Sequence, residues 1–311
     1  MISGEKILIT GPAGKIARHV SARFAQDNEV WGIARFSNPE ERRMVEALGV
    51  KTRKVDLYDC DLSDLPRDFT YLIHIAINFE QCSYDRALRT NAESCGLLLE
   101  HCRNAKAALV MSTLSVYKPH PDPWHAFRED EALGDIMLGY PEHYSISKIS
   151  EEAVARFCAR SFSLPVVIAR MGVAYGPGGG IPIDHLAKLV AGEEIRTRWD
   201  PLPYSPIHGE DIADMIEPLL GAASVPATIV NFCGDEAVSS QEMIRYMAGL
   251  IGVTPKITVS PIPGASIGSV GDPAKRIGIT GPCRIKWQDG LRQVIEELHP
   301  GLIARAQKAL S

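Results

Sequence analysis

The cysteines of this chain follow no disulfide or metal-binding pattern. There are seven of them in 311 residues, an odd number, and no two are spaced as C-x-x-C. Structural zinc sites and disulfide frameworks both depend on repeated, closely spaced cysteines. We therefore expect reduced thiols, no bound metal and a cytoplasmic protein.

Long hydrophobic runs and charge of one sign are also missing. The first residues, MISGEKILIT, have no charged segment followed by a long apolar run, so we expect neither a signal peptide nor a membrane span. Acids and bases are mixed along the chain and the net charge is −5, which leaves no basic stripe for nucleic acid. We expect neither membrane nor nucleic acid as a partner.

The first half of the chain alternates two hydrophobic patterns. Short apolar runs predict buried strands, and apolar residues spaced three and four apart predict helices. Such alternation builds a Rossmann-type α/β fold, a doubly wound parallel sheet with helices on both faces. The predicted strands are residues 6–10, 30–34, 52–57, 71–77, 107–113 and 165–172, and the predicted helices are residues 17–25, 38–49, 84–103 and 144–161.

The pattern changes after about residue 172. The segment AYGPGGGIP, residues 174–182, is a loop by composition, and proline and glycine recur beyond it. One more strand, 227–235, is expected to return to the main sheet. We therefore predict a Rossmann domain over residues 1–172, joined by that strand, and a smaller, interleaved substrate-binding region over residues 173–311.

A glycine turn joins the first strand to the first helix. Gly11 and Gly14, in TGPAGKIA, let the backbone turn tightly and approach a ligand without a Cβ in the way. The helix N-terminus offers free N–H groups to an anion such as the pyrophosphate of a dinucleotide. The small Ala17 lets the helix pack close to the strand. The alternative is a plain strand–helix turn without a ligand.

Tyr144 and Lys148 stand four apart in a predicted helix and so share one face of it. A phenol titrates near pH ~10, and a neighbouring ammonium lowers that pKa. Tyr144 can then serve as a general acid or base, while Lys148 also holds a ribose. A third group must fix the substrate oxygen, and STLSVY, residues 112–117, ends a strand where ligands of such sheets bind. A solvated Tyr–Lys helix pair is the alternative.

These segments together resemble the extended short-chain dehydrogenase/reductases, in the NAD-dependent epimerase/dehydratase family. The glycine turn is similar to TGxxGxxG, and residues 112–117 are similar to SSxxVYG. Residues 144–148 match YxxxK, RMGVAYGPG (170–178) is similar to RxxNVYGPG, and the tail 286–298 resembles a closing WxxGL helix. The resemblance covers nearly the whole chain. It implies an NAD(P)-dependent oxidoreductase whose catalytic residues are Thr113, Tyr144 and Lys148.

The resemblance also implies a set of cofactor-binding residues. Asn91 matches a helix asparagine that supports the catalytic lysine through water, and Asp56 and Leu57 match a pair beside the adenine. The full implied set is Gly11, Ala13, Gly14, Lys15, Ile16, Arg35, Ser37, Asp56, Leu57, Ala76, Asn91, Tyr144, Lys148 and Met171.

The end of the second strand favours NADP(H) over NAD(H). Family members that use NAD usually carry an acid there, which binds the ribose 2′-hydroxyl. Here the position is Ala34, followed by Arg35 and Ser37. A guanidinium pairs well with a 2′-phosphate, so we expect NADP(H), with NAD(H) as the alternative. An arginine that only covers the adenine would carry no such preference.

Three departures from the family motifs bear on the reaction. Thr113 is followed by Leu114 rather than by the Asp-Glu of the 4,6-dehydratases, which argues against water elimination. Val173 replaces the asparagine and Tyr204 replaces the arginine that bind nucleotide phosphates. Arg196 or Arg198 can substitute for that arginine from a neighbouring position, so nucleotide sugars remain an alternative. We predict hydride transfer between nicotinamide and a carbonyl or secondary alcohol of a small organic molecule. A sugar or nucleotide-sugar epimerase that retains its cofactor, and a cofactor-sensing regulator that is not an enzyme, are the alternatives.

The substrate side of the site and the assembly are also predicted. Candidate substrate residues are Trp124, in the insert between Thr113 and Tyr144, together with Val173, Tyr204 and His208. His208 can equally be a structural histidine, and the insert can equally be a surface loop. The family resemblance implies a homodimer built on helices 84–103 and 144–161.

Overall fold

The computed structural model describes residues 2–78, 82–134 and 143–310. Part of the insert before Tyr144, residues 135–142, lies outside them. Within the described residues the strands, in chain order, are β1 (Lys6–Thr10), β2 (Glu29–Ala34), β3 (Lys51–Lys54), β4 (Tyr71–His74), β5 (Ala107–Thr113), β6 (Ala126–Phe127), β7 (Val166–Met171), β8 (Val173–Tyr175), β9 (Ile195–Thr197), β10 (Pro203–Tyr204), β11 (Pro206–His208), β12 (Thr228–Phe232), β13 (Val238–Ser239), β14 (Ile257–Val259) and β15 (Val270–Gly271).

The helices of the described residues connect and cover these strands. Among these residues every helix is too short or too polar to cross a bilayer. In chain order they are α1 (Ala17–Phe24), α2 (Pro39–Ala47), α3 (Tyr84–Leu88), α4 (Ser94–His101), α5 (Tyr144–Phe162), α6 (Ile181–Ala191), α7 (Gly209–Gly221), α8 (Ser240–Leu250), α9 (Ala274–Thr280), α10 (Trp287–Leu298) and α11 (Leu302–Leu310).

The central sheet is parallel and doubly wound. Its strand order is β12-β7-β5-β4-β1-β2-β3, so β1 pairs with β2 on one side and with β4 on the other. The chain therefore changes direction across the sheet between β1 and β4. In open α/β sheets the ligand binds in the crevice at the carboxyl ends of such strands. The predicted Rossmann-type fold class is confirmed.

Two apolar layers cover the two faces of this sheet. On one face Val20 of α1 and Ile216 of α7 pack in the core with Ile9 of β1. On the other face Leu98 of α4 and Ala159 of α5 pack in a second core against the same sheet. All five side chains are fully buried, so the strand residues alternate between two dry layers.

The second half of the chain adds a third core, built mainly from α6, α8 and α10. It also returns β12 to the edge of the central sheet beside β7, within the segment predicted as strand 227–235. The loop predicted over 174–182 is confined to residues 176–180. Residues 173–175 form β8 because they pair with β11, a partner that composition does not reveal. The domain boundary at residue 172 stays a prediction.

The long helix predicted over residues 84–103 is interrupted. Between α3 and α4 the residues Arg89–Glu93 form one π-helical turn. Such turns often occur at functional positions, and this one holds Asn91 in its centre.

Candidate functional site

A cavity of about 880 Å³ lies at the carboxyl ends of the central strands. One end is walled by the glycine turn after β1, and the other end by the second half of the chain. The cavity brings together most of the sequence-predicted site residues, namely Gly11, Ala13, Gly14, Lys15, Ile16, Arg35, Ser37, Asp56, Leu57, Ala76, Thr113, Tyr144, Lys148, Met171, Val173 and Tyr204.

The glycine turn forms a close cradle. Gly11 has a φ of +63°, and a Cβ there would lie 3.1 Å from the Cβ of Ala76. The Gly14 N–H donates to the Gly11 carbonyl at 2.9 Å, which closes the turn before α1. Ala17 is 1% exposed, so the helix packs tightly on the sheet behind the turn. This backbone fits a pyrophosphate placed at the start of α1.

The adenosine end of the cavity begins where β2 ends. Arg35 and Ser37 line it, as expected from the sequence, and so does Glu41 in the first turn of α2. The Arg42 guanidinium lies over the Phe36 ring at 6.0 Å from its centroid. The end of β2 and the start of α2 therefore present both a cation and a carboxylate to this part of the cavity.

Thr113, Tyr144 and Lys148 all line the cavity. Thr113 ends β5 and Tyr144 begins α5, and both are 7% exposed. The Thr113 hydroxyl accepts the Ser115 N–H at 3.1 Å, and a hydroxyl that accepts can still donate its own proton. The Lys148 ammonium donates to the Met111 carbonyl at 2.8 Å. Main-chain groups of β5 and of the turn that follows it thus hold the lysine and the threonine.

A buried polar network ties α5 to the strands behind this site. The Arg170 guanidinium donates to both oxygens of Glu152, at 2.9 and 2.8 Å, and Ser112 donates to Glu152 at 2.6 Å. The Tyr117 hydroxyl accepts from Arg170 and donates to Asn231 at 2.6 Å. Burial raises the pKa of Tyr117 to about 12, so the phenol stays protonated and serves structure.

Asn91 does not line the cavity but braces two groups beside it. Its side chain accepts the Asn78 N–H at 2.9 Å and donates to the Ser147 hydroxyl at 3.1 Å. Ser147 in turn donates to the Tyr144 carbonyl at 2.9 Å. The asparagine is therefore linked to the first turn of α5, which carries Tyr144.

Two predicted substrate residues lie outside the cavity wall. Trp124 is 41% exposed, in a turn where its main-chain N–H donates to the Asp122 carboxylate. His208 is 1% exposed, and its Nδ1 accepts the Glu210 N–H at the start of α7. Burial lowers the pKa of His208, which suits a neutral helix cap. Pairing of β11 with β8 holds His208 in this position.

Sequence reasoning missed several residues of the site. Asn78 and Asp184 line the cavity, and Glu151 and His74 lie buried behind Lys148. The signal for Glu151 was present in ISEEAV, since an acid three residues after a lysine shares its helix face. Its contacts with Lys148 and His74 could not be read from the sequence, because Glu152 beside it is identical and also buried but contacts Arg170 instead.

The comparison with protein families agrees with this architecture. The model of the NAD dependent epimerase/dehydratase family matches residues 7–216, about two thirds of the chain. The dTDP-4-dehydro-6-deoxy-D-allose reductase of Streptomyces bikiniensis is 29% identical over 283 residues, which cover 83% of this chain and 85% of that protein.

Solved structures share the fold. The UDP-N-acetylglucosamine 4-epimerase of Methanobrevibacter ruminantium M1, in complex with UDP-N-acetylmuramic acid, superposes with a TM-score of 0.82 at 20% identity, covering 96% of this chain and 99% of that one. The UDP-glucuronic acid 4-epimerase of Bacillus cereus, in complex with UDP-glucuronic acid and NAD, superposes with a TM-score of 0.81 at 21% identity, covering 94% and 100%. This chain belongs to the NAD dependent epimerase/dehydratase family and is an NAD(P)-dependent oxidoreductase of the extended short-chain dehydrogenase/reductase type.

Proposed function

We propose that the protein is a reductase that prefers NADP(H) and acts on a ketone or secondary alcohol of a small molecule. The observation that carries the proposal is that Thr113, Tyr144 and Lys148 line the same cavity as the glycine turn. A proton donor, a cation and a hydroxyl thereby face the space where a dinucleotide and a carbonyl can meet. The bound nicotinamide supplies or accepts the hydride.

The three side chains divide the remaining work. Tyr144 gives its proton to the carbonyl oxygen in reduction and takes it back in oxidation. Lys148 is positioned by the Met111 carbonyl, holds the ribose and stabilises a phenolate. Thr113 donates a hydrogen bond to the same substrate oxygen and so holds it in line.

The NADP(H) preference rests on the end of β2. Ala34 brings no acid to this position, and Arg35 and Ser37 line the adenosine end of the cavity. An arginine pairs with a 2′-phosphate through two parallel hydrogen bonds. Glu41 in the same wall works against the phosphate, so the preference is a balance between two opposite charges.

The substrate class follows from the far end of the cavity. Relatives include a dTDP-sugar reductase, and Arg198 lines this end where an anionic group can enter. Val173 and Tyr204 line it as well, and neither side chain can make a charge-assisted bond to a phosphate. The relative and Arg198 favour nucleotide-linked keto sugars, whereas Val173 and Tyr204 favour uncharged ketones, so the substrate panel contains both classes.

An epimerase is the second candidate function. It is favoured by the solved 4-epimerases that share the fold, one of them in complex with NAD. In an epimerase Tyr144 would take and return the hydroxyl proton beside Lys148, and a retained nicotinamide would supply the hydride acceptor and donor in the same site. Such an enzyme does not consume free NADPH.

A homodimer is the proposed assembly, and a cytoplasmic location stays a prediction. α4 and α5 pack side by side, and Gly96 lies so close to Val154 that a Cβ would approach its Cγ1 to 3.0 Å. On the outer side of this helix pair Leu97 is 45% exposed and Phe157 is 66% exposed. Two such apolar faces from two copies would bury these side chains against each other.

The deciding experiment is a fluorescence titration of the purified protein with NADPH and with NADH, beside the Tyr144→Phe variant. We expect NADPH to bind at least about tenfold tighter than NADH. The variant should bind NADPH equally well but reduce the carbonyls of the substrate panel about 10²–10⁴-fold more slowly. A Tyr84→Phe variant, at a half-exposed surface tyrosine, is the matched control and should behave as the native protein. Tighter NADH binding, or protein purified with NAD bound and no NADPH consumption, would put the epimerase first.

A further inference from the structure

Glu151 is a fully buried carboxylate that faces titratable groups from three elements. Its Oε2 lies 2.6 Å from the Lys148 ammonium, one turn earlier on α5. Its Oε1 lies 3.3 Å from Nε2 of His74 at the end of β4. Cys95 of α4 completes the cluster, with its sulfur within 4.8 Å of the His74 and Glu151 ligand atoms. All four residues are at most 2% exposed.

The hydrogen bonds around His74 fix its tautomer. The Thr10 hydroxyl oxygen accepts the N–H groups of Ile75 and Ala76, at 3.0 and 2.9 Å. With both lone pairs occupied, Thr10 donates its own proton to Nδ1 of His74, 2.8 Å away. Nε2 of His74 therefore carries the ring hydrogen, and this nitrogen lies 3.3 Å from Oε1 of Glu151.

A continuous polar chain thus joins the cofactor turn to the catalytic lysine. It starts at Thr10, the residue before Gly11, passes through His74 and Glu151, and ends at Lys148. His74 lies beside one carboxylate oxygen of Glu151, and the Lys148 ammonium lies beside the other. Glu151 does not line the cavity, so it acts only through its neighbour Lys148.

The same cluster has the donor types of a metal site but is arranged for an ammonium. A metal ion held by His74, Cys95 and Glu151 would stand beside the positive charge of Lys148. Burial, together with the Glu151 charge, holds the pKa of the Cys95 thiol well above its ordinary value, so the thiol keeps its proton. The ammonium lies 2.6 Å from the Glu151 carboxylate and already supplies a positive charge there.

We propose that Glu151 is a positioning residue that offsets the Lys148 charge and so keeps the proton on Tyr144 up to higher pH. This inference rests on the acid–base roles assigned to Tyr144 and Lys148 in the proposed function. With Glu151 ionised, the protonated Tyr144–Lys148–Glu151 group is neutral overall, and losing a proton makes it an anion. Without that carboxylate the group starts as a cation and loses its proton more easily. The carboxylate therefore extends to higher pH the range over which Tyr144 can donate its proton.

The test is a pH titration of Tyr144 that needs neither substrate nor cofactor. Tyrosinate absorbance is recorded against pH for the native protein and for Tyr144→Phe, and the difference isolates Tyr144. The same pair of measurements is made in the Glu151→Gln and Glu151→Asp backgrounds. Glu93→Gln, at an exposed acid of the π-helical turn, makes the same charge change in water and is the matched control.

Glu151→Gln should move the Tyr144 titration to lower pH by about one unit or more, because one unscreened buried charge is lost. Glu151→Asp, whose shorter side chain draws the carboxylate back from Lys148, should move it in the same direction by less. The aspartate variant also carries the test if the glutamine variant does not fold. The proposal is overturned if Tyr144 in a folded Glu151 variant titrates at the same pH as in the native protein and in Glu93→Gln. It is also overturned if the titration moves to higher pH.

Failure of the proposed function is separable from failure of this inference. A shifted titration in a protein that reduces no carbonyl on the panel leaves the Glu151 coupling standing and removes the reductase assignment. Turnover of NADPH with an unshifted titration does the reverse. Where turnover is found, kcat/KM for reduction should fall at lower pH in Glu151→Gln than in the native enzyme, since protonated Tyr144 is the active form.

Discussion

Gly11 and Ala76 are so close that no side chain fits between them. A Cβ on Gly11 would lie 3.1 Å from the Ala76 Cβ and 3.2 Å from its Cα, and the φ of Gly11 is +63°. Steric room and backbone conformation therefore both call for glycine at this position. The two residues belong to the loops after β1 and β4, the adjacent strands between which the strand order of the sheet reverses.

Gly11→Ala should weaken NADPH binding about tenfold or more, because the turn must open by several tenths of an ångström away from the pyrophosphate. Gly49→Ala is the control, since its φ is also positive, +86°, but nothing lies within 4 Å of its Cβ position. That variant should lose some stability and keep its affinity. Equal affinities in both variants, measured by fluorescence titration, would contradict a phosphate-binding turn.

Arg35→Gln should raise the Kd for NADPH about tenfold and leave the Kd for NADH unchanged. The amide keeps a hydrogen-bond donor but loses the charge that pairs with a 2′-phosphate. Glu41→Gln, in the same wall, should act in the opposite direction and tighten NADPH. A parallel loss for both dinucleotides in Arg35→Gln would mean that the arginine only covers the adenine. Arg43→Gln, at an exposed arginine on α2, is the control.

Acid should destabilise the protein through His185. Burial, with some help from Lys188, lowers the pKa of this histidine from 6.5 to about 4. Between those values the unfolded chain binds a proton that the folded chain does not, so stability is lost as pH falls through this window. His185 alone should account for roughly 2 kcal/mol between about pH 7 and about pH 5.

The measurement is urea unfolding at both pH values for the native protein and for His185→Gln. The variant should lose less free energy of unfolding on acidification, because its side chain does not titrate. His120→Gln, at an exposed histidine, should keep the native dependence. An unchanged pH dependence in His185→Gln would show that His19 and His208, whose pKa values burial also lowers, carry the effect instead.

The exposed apolar residues on α4 and α5 should hold two copies together. The double variant Leu97→Glu/Phe157→Glu places two charges at the centre of this face and should convert the dimer to a folded monomer, measured by light scattering after gel filtration. Val253→Glu replaces a side chain that is 40% exposed elsewhere and should leave the dimer intact. A native protein that is already monomeric at micromolar concentration would refute the assembly.

Much of the fold could be predicted from the sequence because it depends on local patterns. The runs ending at Thr10 and Thr113 appear as β1 and β5 with the predicted bounds, since apolar strands flanked by turn residues have few other solutions. β8 was missed because three residues become a strand only by pairing with β11. Asn91 was found in a helix, but its π-helical turn was not, because that turn depends on packing against α5.

The sequence by itself determined the parallel sheet, the glycine turn and the Tyr144–Lys148 spacing, since each follows from the order and size of neighbouring residues. Only the tertiary structure decided which polar residues are buried and which side chains they contact. Glu151 and Glu152 are adjacent and identical, yet α5 turns one to Lys148 and His74 and the other to Arg170 and Ser112. Trp124 and His208 fell outside the cavity for the same reason: where a side chain lies depends on strands and helices that are distant in the chain.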